Sequence, residues 1–339
     1  MSAAVGSVRR TRAGRCGVSA TVAAVIALAA SAVVPAEAAG TVERGLSAES
    51  PSLGRPIPYS LYRPAAAPVE GARWPVLYLF HGLGGGDGDW LAGGDIAATL
   101  DREIAAGRLQ PMMVVMPMAG DSWYVDDPAG KARMASAIAG DLVTAIDARY
   151  PTAACREGRA TGGLSMGGYG ALLYAFDHPD RYAAAISLSG SIFPEIGADP
   201  RPAEIARLDP GPPVRVFGAA FGEPFDPARF DEWTLFRRVP AVARAPAPPA
   251  VWLEAGDDDF PALLDGTVRL HLRLRAAGLD SELRVEDGGH DWGNWRRAIV
   301  PALAWLSPKL DATCGRAAAG GAQRAGTPGG AAAATEAAP

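Results

Sequence analysis

The chain contains 339 residues, 49% of them hydrophobic, and its formal net charge is −5. This balance is ordinary for a soluble globular protein and does not provide the basic surface that a nucleic-acid-binding domain requires. We therefore expect no nucleic-acid partner. Roughly 270 residues lie between two compositionally atypical ends, which is enough for one large domain.

The first 39 residues have the pattern of a secretory signal peptide. Four arginines within residues 9–15 precede an almost wholly apolar run from 18 to 34, and Ala36-Glu37-Ala38 matches a small-residue cleavage site. We therefore predict a secreted or periplasmic protein with residues 1–39 removed and no stable membrane insertion afterwards. The alternative is an uncleaved anchor, because the apolar run approaches the shortest length that spans a bilayer.

Removal of the signal leaves two cysteines, Cys155 and Cys314. In an exported protein they can form a disulfide that ties the C-terminal end to the body, and the alternative is two unpaired side chains. Residues 313–339 consist mostly of alanine, glycine and isolated charges, so we predict a disordered tail. The predicted folded domain spans residues 40–312.

The elements in chain order predict an α/β fold. Loose alternation between residues 41 and 63 predicts two antiparallel edge strands. Apolar runs of strand length, typical of strands covered on both faces, occur at 76–80, 111–117 and 182–188. Further strands are predicted at 159–164, 214–217, 250–254 and 281–285. Helical patterns occur at about 95–106, 132–150, 169–176, 227–238, 260–276 and 292–306. This alternation predicts a mostly parallel sheet with helices on both faces.

One short motif is placed where such sheets carry their functional groups, at the end of a strand. Gly163, Ser165 and Gly167 form G-x-S-x-G. In this pattern the serine occupies a strained turn between a strand and a helix and exposes its hydroxyl at the sheet edge. Three such residues can arise by chance in a glycine-rich chain. The predicted strand at 159–164 and helix at 169–176 supply the context that the motif requires.

The serine needs a base to remove its proton, and the base needs an acid to orient it. Among the four histidines, His290 follows a predicted strand and two glycines, in a loop able to carry an imidazole to the sheet edge. It also follows the serine in the chain, as the base does in this arrangement. His178 and His271 suit hydrogen-bonded structural roles, and His81 is expected to shape its own loop.

The acid is expected between the serine and the histidine, at the end of another strand. Asp257, Asp258 and Asp259 follow the predicted strand at 250–254. Three adjacent aspartates also suit a solvated turn or the capped start of a helix. Sequence spacing alone does not select one of them as the acid.

Two backbone N–H groups are candidates for stabilising the negative oxygen of a tetrahedral intermediate. Met166 follows the serine, and Leu83 belongs to the early glycine-rich loop at 81–86. That loop completes neither a dinucleotide-binding motif nor a lysine-bearing phosphate loop. Clustered histidines or cysteines at zinc-ligand spacing are absent from the sequence, so we predict no metal and no cofactor.

Five stretches between roughly residues 45 and 306 share their motifs with a known family. They are His81-Gly82-Leu83, Asp121-Ser122-Trp123-Tyr124, Gly163 to Gly168, Gly256-x-x-Asp259-Phe260 and Gly289-His290-Asp291-Trp292-x-x-Trp295. With them the chain resembles the esterase-D-like branch of α/β-hydrolases. That branch includes S-formylglutathione hydrolases, feruloyl esterase domains, enterochelin-type esterases and mycolyltransferases. The resemblance implies the α/β-hydrolase fold and Asp259 as the acid, with Asp257 as the fallback.

The resemblance leaves the substrate open. S-formylglutathione hydrolases are cytosolic, which the signal segment argues against, and mycolyltransferases usually carry glutamate where this chain has Asp259. The expected function is an exported serine esterase that acts on a small-molecule or carbohydrate-linked ester. One alternative is an acyltransferase that moves the acyl group to a sugar or other alcohol. Another is a catalytically idle binding module, whose signature would be a broken triad.

The substrate pocket is predicted only in outline. Trp123 and Tyr124 are expected to border the acyl or alcohol pocket, and the alternative is plain packing of two aromatic rings. The remaining walls are expected from the segment 192–238, which has a weak pattern and no readable motif.

Overall fold

One eight-stranded sheet organises the fold. The computed structural model describes residues 39–68, 70–197, 217–222 and 225–314. The predicted signal peptide, the tail beyond residue 314 and most of the predicted strand at 214–217 lie outside the described residues. The last residue of that predicted strand, Phe217, is buried and leads into a turn of 3-10 helix at Gly218–Phe221 rather than into the sheet.

The strands of the sheet are β1 Thr41–Ala48, β2 Ile57–Arg63, β3 Val76–Phe80, β4 Met113–Pro117, β5 Arg159–Leu164, β6 Ala184–Leu188, β7 Ala250–Gly256 and β8 Ser281–Glu286. Their order across the sheet is β1-β2-β4-β3-β5-β6-β7-β8. Every pair of neighbouring strands among β3 to β8 is parallel, which confirms the predicted mostly parallel sheet. Of the two predicted antiparallel edge strands only β1 is at the edge, because β2 pairs with both β1 and β4.

The α-helices of the described residues are α1 Asp89–Ala92, α2 Ile96–Ala105, α3 Met134–Arg149, α4 Met166–Asp177, α5 Pro227–Trp233, α6 Leu235–Val242, α7 Pro261–Ala276 and α8 Trp292–Leu306. Helix α3 is α-helical at Met134–Ser136 and at Val143–Arg149, and it is π-helical between them, at Ala137–Leu142. The helix predicted at 227–238 is two helices, since Thr234 has extended backbone and ends the first of them. The predicted closing helix at 292–306 is confirmed.

Apolar side chains cover both faces of the sheet. In β3, Val76, Tyr78 and Phe80 point into one core, which also contains buried residues of α3, α4 and α7. Leu77 and Leu79 point into the other core, which contains residues of α2 and α8. This two-sided burial is the reason that the inner strands are continuous apolar runs in the sequence.

The C-terminal end of the described chain is attached to the segment that precedes β5. A disulfide joins Cys155 and Cys314, which are 159 positions apart, with 6.1 Å between their Cα atoms. Backbone hydrogen bonds reinforce this attachment, from the Asp311 N–H to the Glu157 carbonyl at 2.8 Å and from the Arg73 N–H to the Ala312 carbonyl at 2.9 Å.

Helix α7 packs against the loop that follows β6 through a glycine. A Cβ atom at Gly266 would overlap the carbonyl group of Ile192. Gly140, in α3, offers a contrast, because a Cβ atom there would meet no other atom within 4 Å. The two glycines are therefore helical positions with opposite steric demands.

We expect Gly266→Ala to lower the free energy of unfolding by about 1–3 kcal/mol, because the added methyl group forces the helix and the loop apart. Gly140→Ala is the matched control, and it should be neutral or stabilising by about 0.5–1 kcal/mol since alanine restricts the unfolded chain. Urea unfolding of both variants measures the difference. Equal changes in the two variants would contradict the packing described here.

Candidate active site

Ser165 occupies the turn between β5 and α4. Its backbone dihedral angles are φ 53° and ψ −123°, a conformation that residues other than glycine rarely adopt. Its N–H donates to the Leu188 carbonyl at 2.9 Å, and its carbonyl accepts from the Ser191 N–H at 3.0 Å. The surrounding chain thus holds a strained turn in place, and strain of this kind is concentrated at functional sites.

The two glycines of the motif are required by close backbone approach. A Cβ atom at Gly167 would lie 2.5 Å from the carbonyl oxygen of His81, and one at Gly163 would overlap the Gly167 carbonyl. Strand β5, helix α4 and the loop after β3 therefore pack directly on one another. This packing leaves no room for side chains at Gly163 and Gly167.

A hydrogen-bonded series joins three of the predicted residues. His290 Nε2 is 3.0 Å from Ser165 Oγ, and His290 Nδ1 is 2.9 Å from Asp259 Oδ1. His290 lies in the loop between β8 and α8, and Asp259 lies in the loop between β7 and α7. These distances suit a histidine base, with one ring nitrogen facing the serine and the other facing the aspartate.

The structure brings only one of the three adjacent aspartates to the histidine. The side chain of Asp259 is fully buried, whereas Asp257 and Asp258 are exposed. Asp257 instead accepts a hydrogen bond from the Gly288 N–H at 3.2 Å and braces the histidine loop. The alternatives that sequence spacing left open are therefore separated by geometry.

The surroundings of Asp259 favour its charged form. Burial alone would raise the pKa of Asp259, but the hydrogen bonds with His290 and with the Phe260 N–H, together with the nearby polar side chain of Ser189, outweigh burial and hold the pKa below its usual value. The carboxylate is therefore ionised at neutral pH. An ionised acid can orient the imidazole and stabilise its positive form.

Two aromatic rings fix the plane of the His290 imidazole. The Phe260 ring is 5.1 Å away, and the Trp295 ring is 5.0 Å away with its plane almost perpendicular to the imidazole. Trp295 is held in turn by a hydrogen bond from its Nε1 to Ser189 Oγ at 3.0 Å. The Phe260 ring is 60% exposed, so it borders solvent beside the histidine.

His81 has no contact with the serine hydroxyl and instead supports its own loop. The Ala119 N–H donates to His81 Nε2 at 3.0 Å, which places the ring proton on Nδ1, and Nδ1 donates to the Gly82 carbonyl at 2.7 Å. Burial lowers the pKa of His81 and keeps the ring neutral. The expectation that His81 shapes its loop agrees with these contacts.

The N–H groups of Leu83 and Met166 flank Ser165. Met166 is the first residue of α4, where the helix leaves N–H groups without intrahelical acceptors. Gly82 lies directly against Ser165, since a Cβ atom there would be 3.4 Å from the serine Cβ, and Leu83 follows it. Neither N–H donates to another group within the parts of the chain that the structure describes. Both are thus available to a ligand oxygen.

The other two histidines are far from this arrangement. His178 follows the last residue of α4, a helix that begins at the serine. His271 lies on α7 and contacts Ser281 Oγ through its Nδ1 at 3.0 Å. Both positions agree with the structural roles expected for them.

An aromatic pocket of about 220 Å³ opens beside the serine. It is lined by Trp123, Tyr169, Ser191, Phe193, Phe221, Phe230, Trp233 and Thr234. Ser191 connects the pocket to Ser165, because the two Oγ atoms are 3.5 Å apart. The lining residues after position 192 belong to the segment from which pocket walls were expected, although the sequence did not single out any of them.

The neighbouring residues Trp123 and Tyr124 point in opposite directions. Both have positive φ, 55° and 58°, and only Trp123 lines the pocket. Tyr124 is completely buried, stacks on Phe80 at 4.8 Å and donates from its hydroxyl to the His81 carbonyl at 3.0 Å. The expectation that Tyr124 borders the pocket is therefore corrected: its ring supports the loop of Leu83 from the core.

Among the residues that the structure describes, two groups of side chains have the spacing of metal ligands. The carboxylates of Asp257, Asp258 and Asp287 lie within 4.8 Å of one another but are exposed. The other group contains the disulfide-bonded Cys155 and Cys314 and is not a ligand set. Exposed carboxylates alone are common at loop ends and do not indicate a metal centre.

In the described part of the chain, no helix combines the length and apolar character needed to cross a membrane.

Sequence comparisons relate the chain to known esterases. A family model described as "Putative esterase" matches residues 50–306. An acetyl esterase of Caldicellulosiruptor saccharolyticus is 28% identical over 248 residues, which cover 72% of this chain and 87% of that protein. Esterase Rv1288 of Mycobacterium tuberculosis is 32% identical over 239 residues, covering 66% of this chain but only half of that protein (50%).

A diacylglycerol acyltransferase/mycolyltransferase, Ag85B of Mycolicibacterium smegmatis, is 29% identical over 290 residues, with 76% of this chain and 83% of that protein covered. Among solved structures, a ferulic acid esterase superposes with a TM-score of 0.64 and 27% identity over 80% of this chain and 98% of that chain. Mycobacterium tuberculosis MPT51 superposes with a TM-score of 0.61 at 22% identity, a likeness of fold. Because the family model matches most of the chain, this protein belongs to the esterase family and is a carboxylic-ester hydrolase with the α/β-hydrolase fold.

Proposed function

We propose that the chain is an exported serine esterase that hydrolyses carboxylic esters through Ser165, His290 and Asp259. The observation that supports this most strongly is the hydrogen-bonded series from Asp259 through His290 to Ser165. The strained turn at Ser165 supports it independently, because such a turn costs stability and is retained where function needs it. Residues 40–312 form the proposed catalytic domain.

In the proposed reaction Ser165 Oγ attacks the ester carbonyl carbon while His290 Nε2 takes the hydroxyl proton. Asp259 keeps the Nδ1 proton of His290 in place and stabilises the imidazolium that forms. His290 then gives the proton to the departing alcohol, and the acyl group stays on Ser165. Water, deprotonated by His290, releases the acid and restores the serine.

The negative oxygen of each tetrahedral intermediate is proposed to accept hydrogen bonds from the N–H groups of Leu83 and Met166. The N-terminus of α4 adds its positive dipole end at the same point. Loss of one such donor typically costs on the order of a hundred- to a thousandfold in turnover. His81 and Tyr124 serve this function indirectly, since their hydrogen bonds fix the loop that carries Leu83.

We expect Ser165→Ala and His290→Ala each to reduce kcat at least about a thousandfold, because the nucleophile and its base act as a unit. The measurement is hydrolysis of p-nitrophenyl acetate under saturating substrate, with circular dichroism to show that both variants are folded. Activity of Ser165→Ala close to that of the wild type would exclude the proposed mechanism.

The two aspartates that contact the histidine loop provide a matched pair of controls. Asp259→Asn should lose most activity, because the amide no longer stabilises the imidazolium of His290. Asp257→Asn should stay within a few-fold of the wild type, since Asp257 is exposed and contacts only a backbone N–H. The reverse result would move the acid to Asp257 and leave the rest of the proposal intact.

The aromatic pocket supports a compact acyl group. Aromatic rings line most of it, which favours a short apolar or planar acyl group over a long chain. The similarity to an acetyl esterase and a ferulic acid esterase points the same way. The proposed substrate is a small-molecule or carbohydrate-linked ester of such an acid.

Acyl transfer to a sugar or other alcohol is the second candidate function, and the similarity to the mycolyltransferase Ag85B supports it. Its chemistry would use the same residues, with an alcohol in place of water at the second step. The products separate the two candidates, because hydrolysis gives the free acid and transfer gives a new ester.

We expect kcat/KM to be highest for p-nitrophenyl esters of short or planar acids and to fall at least tenfold from butyrate to palmitate, because a long chain leaves the pocket. The same assays with and without glycerol, followed by product analysis, measure transfer. Trp123→Ala should reduce this discrimination by enlarging the pocket. A preference for palmitate, or mainly transacylated product, would favour the acyltransferase.

Export is proposed from the arginine-rich start, the apolar run and Ala36-Glu37-Ala38 of the sequence. The Cys155–Cys314 disulfide supports it, because such bonds persist in oxidising compartments. We expect the mature protein, expressed in a secreting bacterial host, to begin near Gly40 when its N-terminus is sequenced. A full-length chain held in the membrane fraction would contradict cleavage.

A further inference from the structure

A buried carboxyl group that the proposed mechanism does not use lies behind the acid of the triad. Glu254 is near the end of β7, the strand that leads to Asp259, and it is only 1% exposed. Its strand neighbours Leu253 and Ala255 are buried and apolar. An acidic side chain in such a place is costly unless it is compensated, so its presence indicates a specific role.

Glu254 connects the two loops that carry the acid and the base. Its Oε1 accepts a hydrogen bond from Asn294 Nδ2 at 2.9 Å, and Asn294, in the first turn of α8, is itself 1% exposed. Asn294 Oδ1 accepts from Arg297 Nη2 at 3.4 Å, and the same nitrogen donates to the Asp287 carbonyl at 2.9 Å. Strand β7 is thereby attached to the helix and the loop on either side of His290.

The second carboxyl oxygen of Glu254 has no hydrogen-bond partner within the described ranges. Two acidic groups face it, Asp259 from the same loop region and Glu286 from the end of β8, and both disfavour its ionisation. Arg284, opposite Glu254 in the register of β8, is ion-paired on its own strand at 2.7 Å, and Arg297 reaches Glu254 only through Asn294. No cation is therefore placed directly against this oxygen in the described structure.

These surroundings place the ionisation of Glu254 close to neutral pH. The pKa of Glu254 is raised to about 7, mainly by burial; the charges of Glu286 and Asp259 contribute to the increase, and the hydrogen bond from Asn294 and the nearby Ser189 backbone oppose it. Because the pKa in the folded protein is raised, the carboxyl is neutral below about pH 7 and ionised above it.

We propose that Glu254 is a positioning residue of the triad, which holds α8 against β7 and, once ionised, stabilises the positive charge that develops on His290. The proposal rests on the proposed function, since it assumes that His290 takes the proton from Ser165. A second negative charge behind Asp259 favours the imidazolium that forms in the transition state. The contribution of Glu254 therefore depends on pH.

Glu254→Gln tests this directly, because the amide keeps an oxygen for Asn294 and removes only the charge. The ratio of wild-type to variant kcat/KM for p-nitrophenyl acetate is measured from pH 5.5 to 8.5. We expect a ratio near 1 below pH 6, rising roughly three- to tenfold by pH 8.5, with its midpoint near the pKa of Glu254 at about 7. A ratio that does not vary with pH, at 1 or at any constant loss, overturns the proposal.

Two further variants keep the test decisive. Asn294→Ala retains the carboxyl and removes the hydrogen bond that lowers its pKa, so the ratio of kcat/KM between Asn294→Ala and the double variant Asn294→Ala/Glu254→Gln should have its midpoint at a higher pH; an unchanged midpoint contradicts the proposal. Glu49→Gln, an exposed carboxylate near the opposite edge strand, should give a ratio near 1 at every pH. Activity in Ser165→Ala would remove the proposed function itself, whereas a flat Glu254→Gln ratio removes only this inference.

Discussion

The close packing of three backbone segments around Ser165 is the constraint on which the rest of the site depends. Strand β5, the start of α4 and the loop after β3 approach so closely that side chains at Gly163 and Gly167 would overlap neighbouring carbonyl groups. This contact fixes the turn in a conformation that serine rarely adopts and places the Gly82 backbone beside it. One packing arrangement thus sets the positions of both the proposed nucleophile and the proposed oxyanion donors.

The order of the strands determines which loops meet at this turn. Strands β3, β5, β6, β7 and β8 are successive neighbours and parallel, so their carboxyl ends deliver five loops to one edge. The loops after β7 and β8 are joined through backbone contact, since the Asp258 N–H donates to the Gly288 carbonyl at 3.0 Å. The distance between Asp259 and His290 is therefore determined by the pairing of β7 with β8 and by the contact between their loops, not by flexible side chains.

Much of this arrangement can be predicted from the sequence because it follows from chain order. The inner strands are continuous apolar runs, and His290 is the one histidine that follows both the serine and a strand. Asp259 could not be chosen from spacing, because Asp257 and Asp258 are equally close to the strand end. Only the resemblance to a family favoured it, and only the three-dimensional packing separates a buried carboxylate from two exposed ones.

The pocket lining and the role of the buried Glu254 could not be predicted from the sequence, for different physical reasons. Trp123 and Tyr124 are adjacent and both have positive φ, yet only Trp123 lines the pocket, a difference that no local sequence pattern encodes. Phe221, Phe230 and Trp233 meet only through tertiary packing of a segment without a motif. Glu254 is visible in the sequence as a charged residue within an apolar strand, but the sequence does not identify its buried partner, Asn294.

Covalent labelling with a fluorophosphonate tests the central claim most directly, since the reagent reacts with an activated serine without requiring knowledge of the substrate. Peptide mass mapping should place the phosphonate on Ser165 in the wild type, and labelling should fall at least a hundredfold in rate in His290→Ala. The neighbouring Ser191 is the internal competitor, because its hydroxyl is 3.5 Å from that of Ser165. A label on Ser191, or undiminished labelling of Ser165 without His290, would contradict the account.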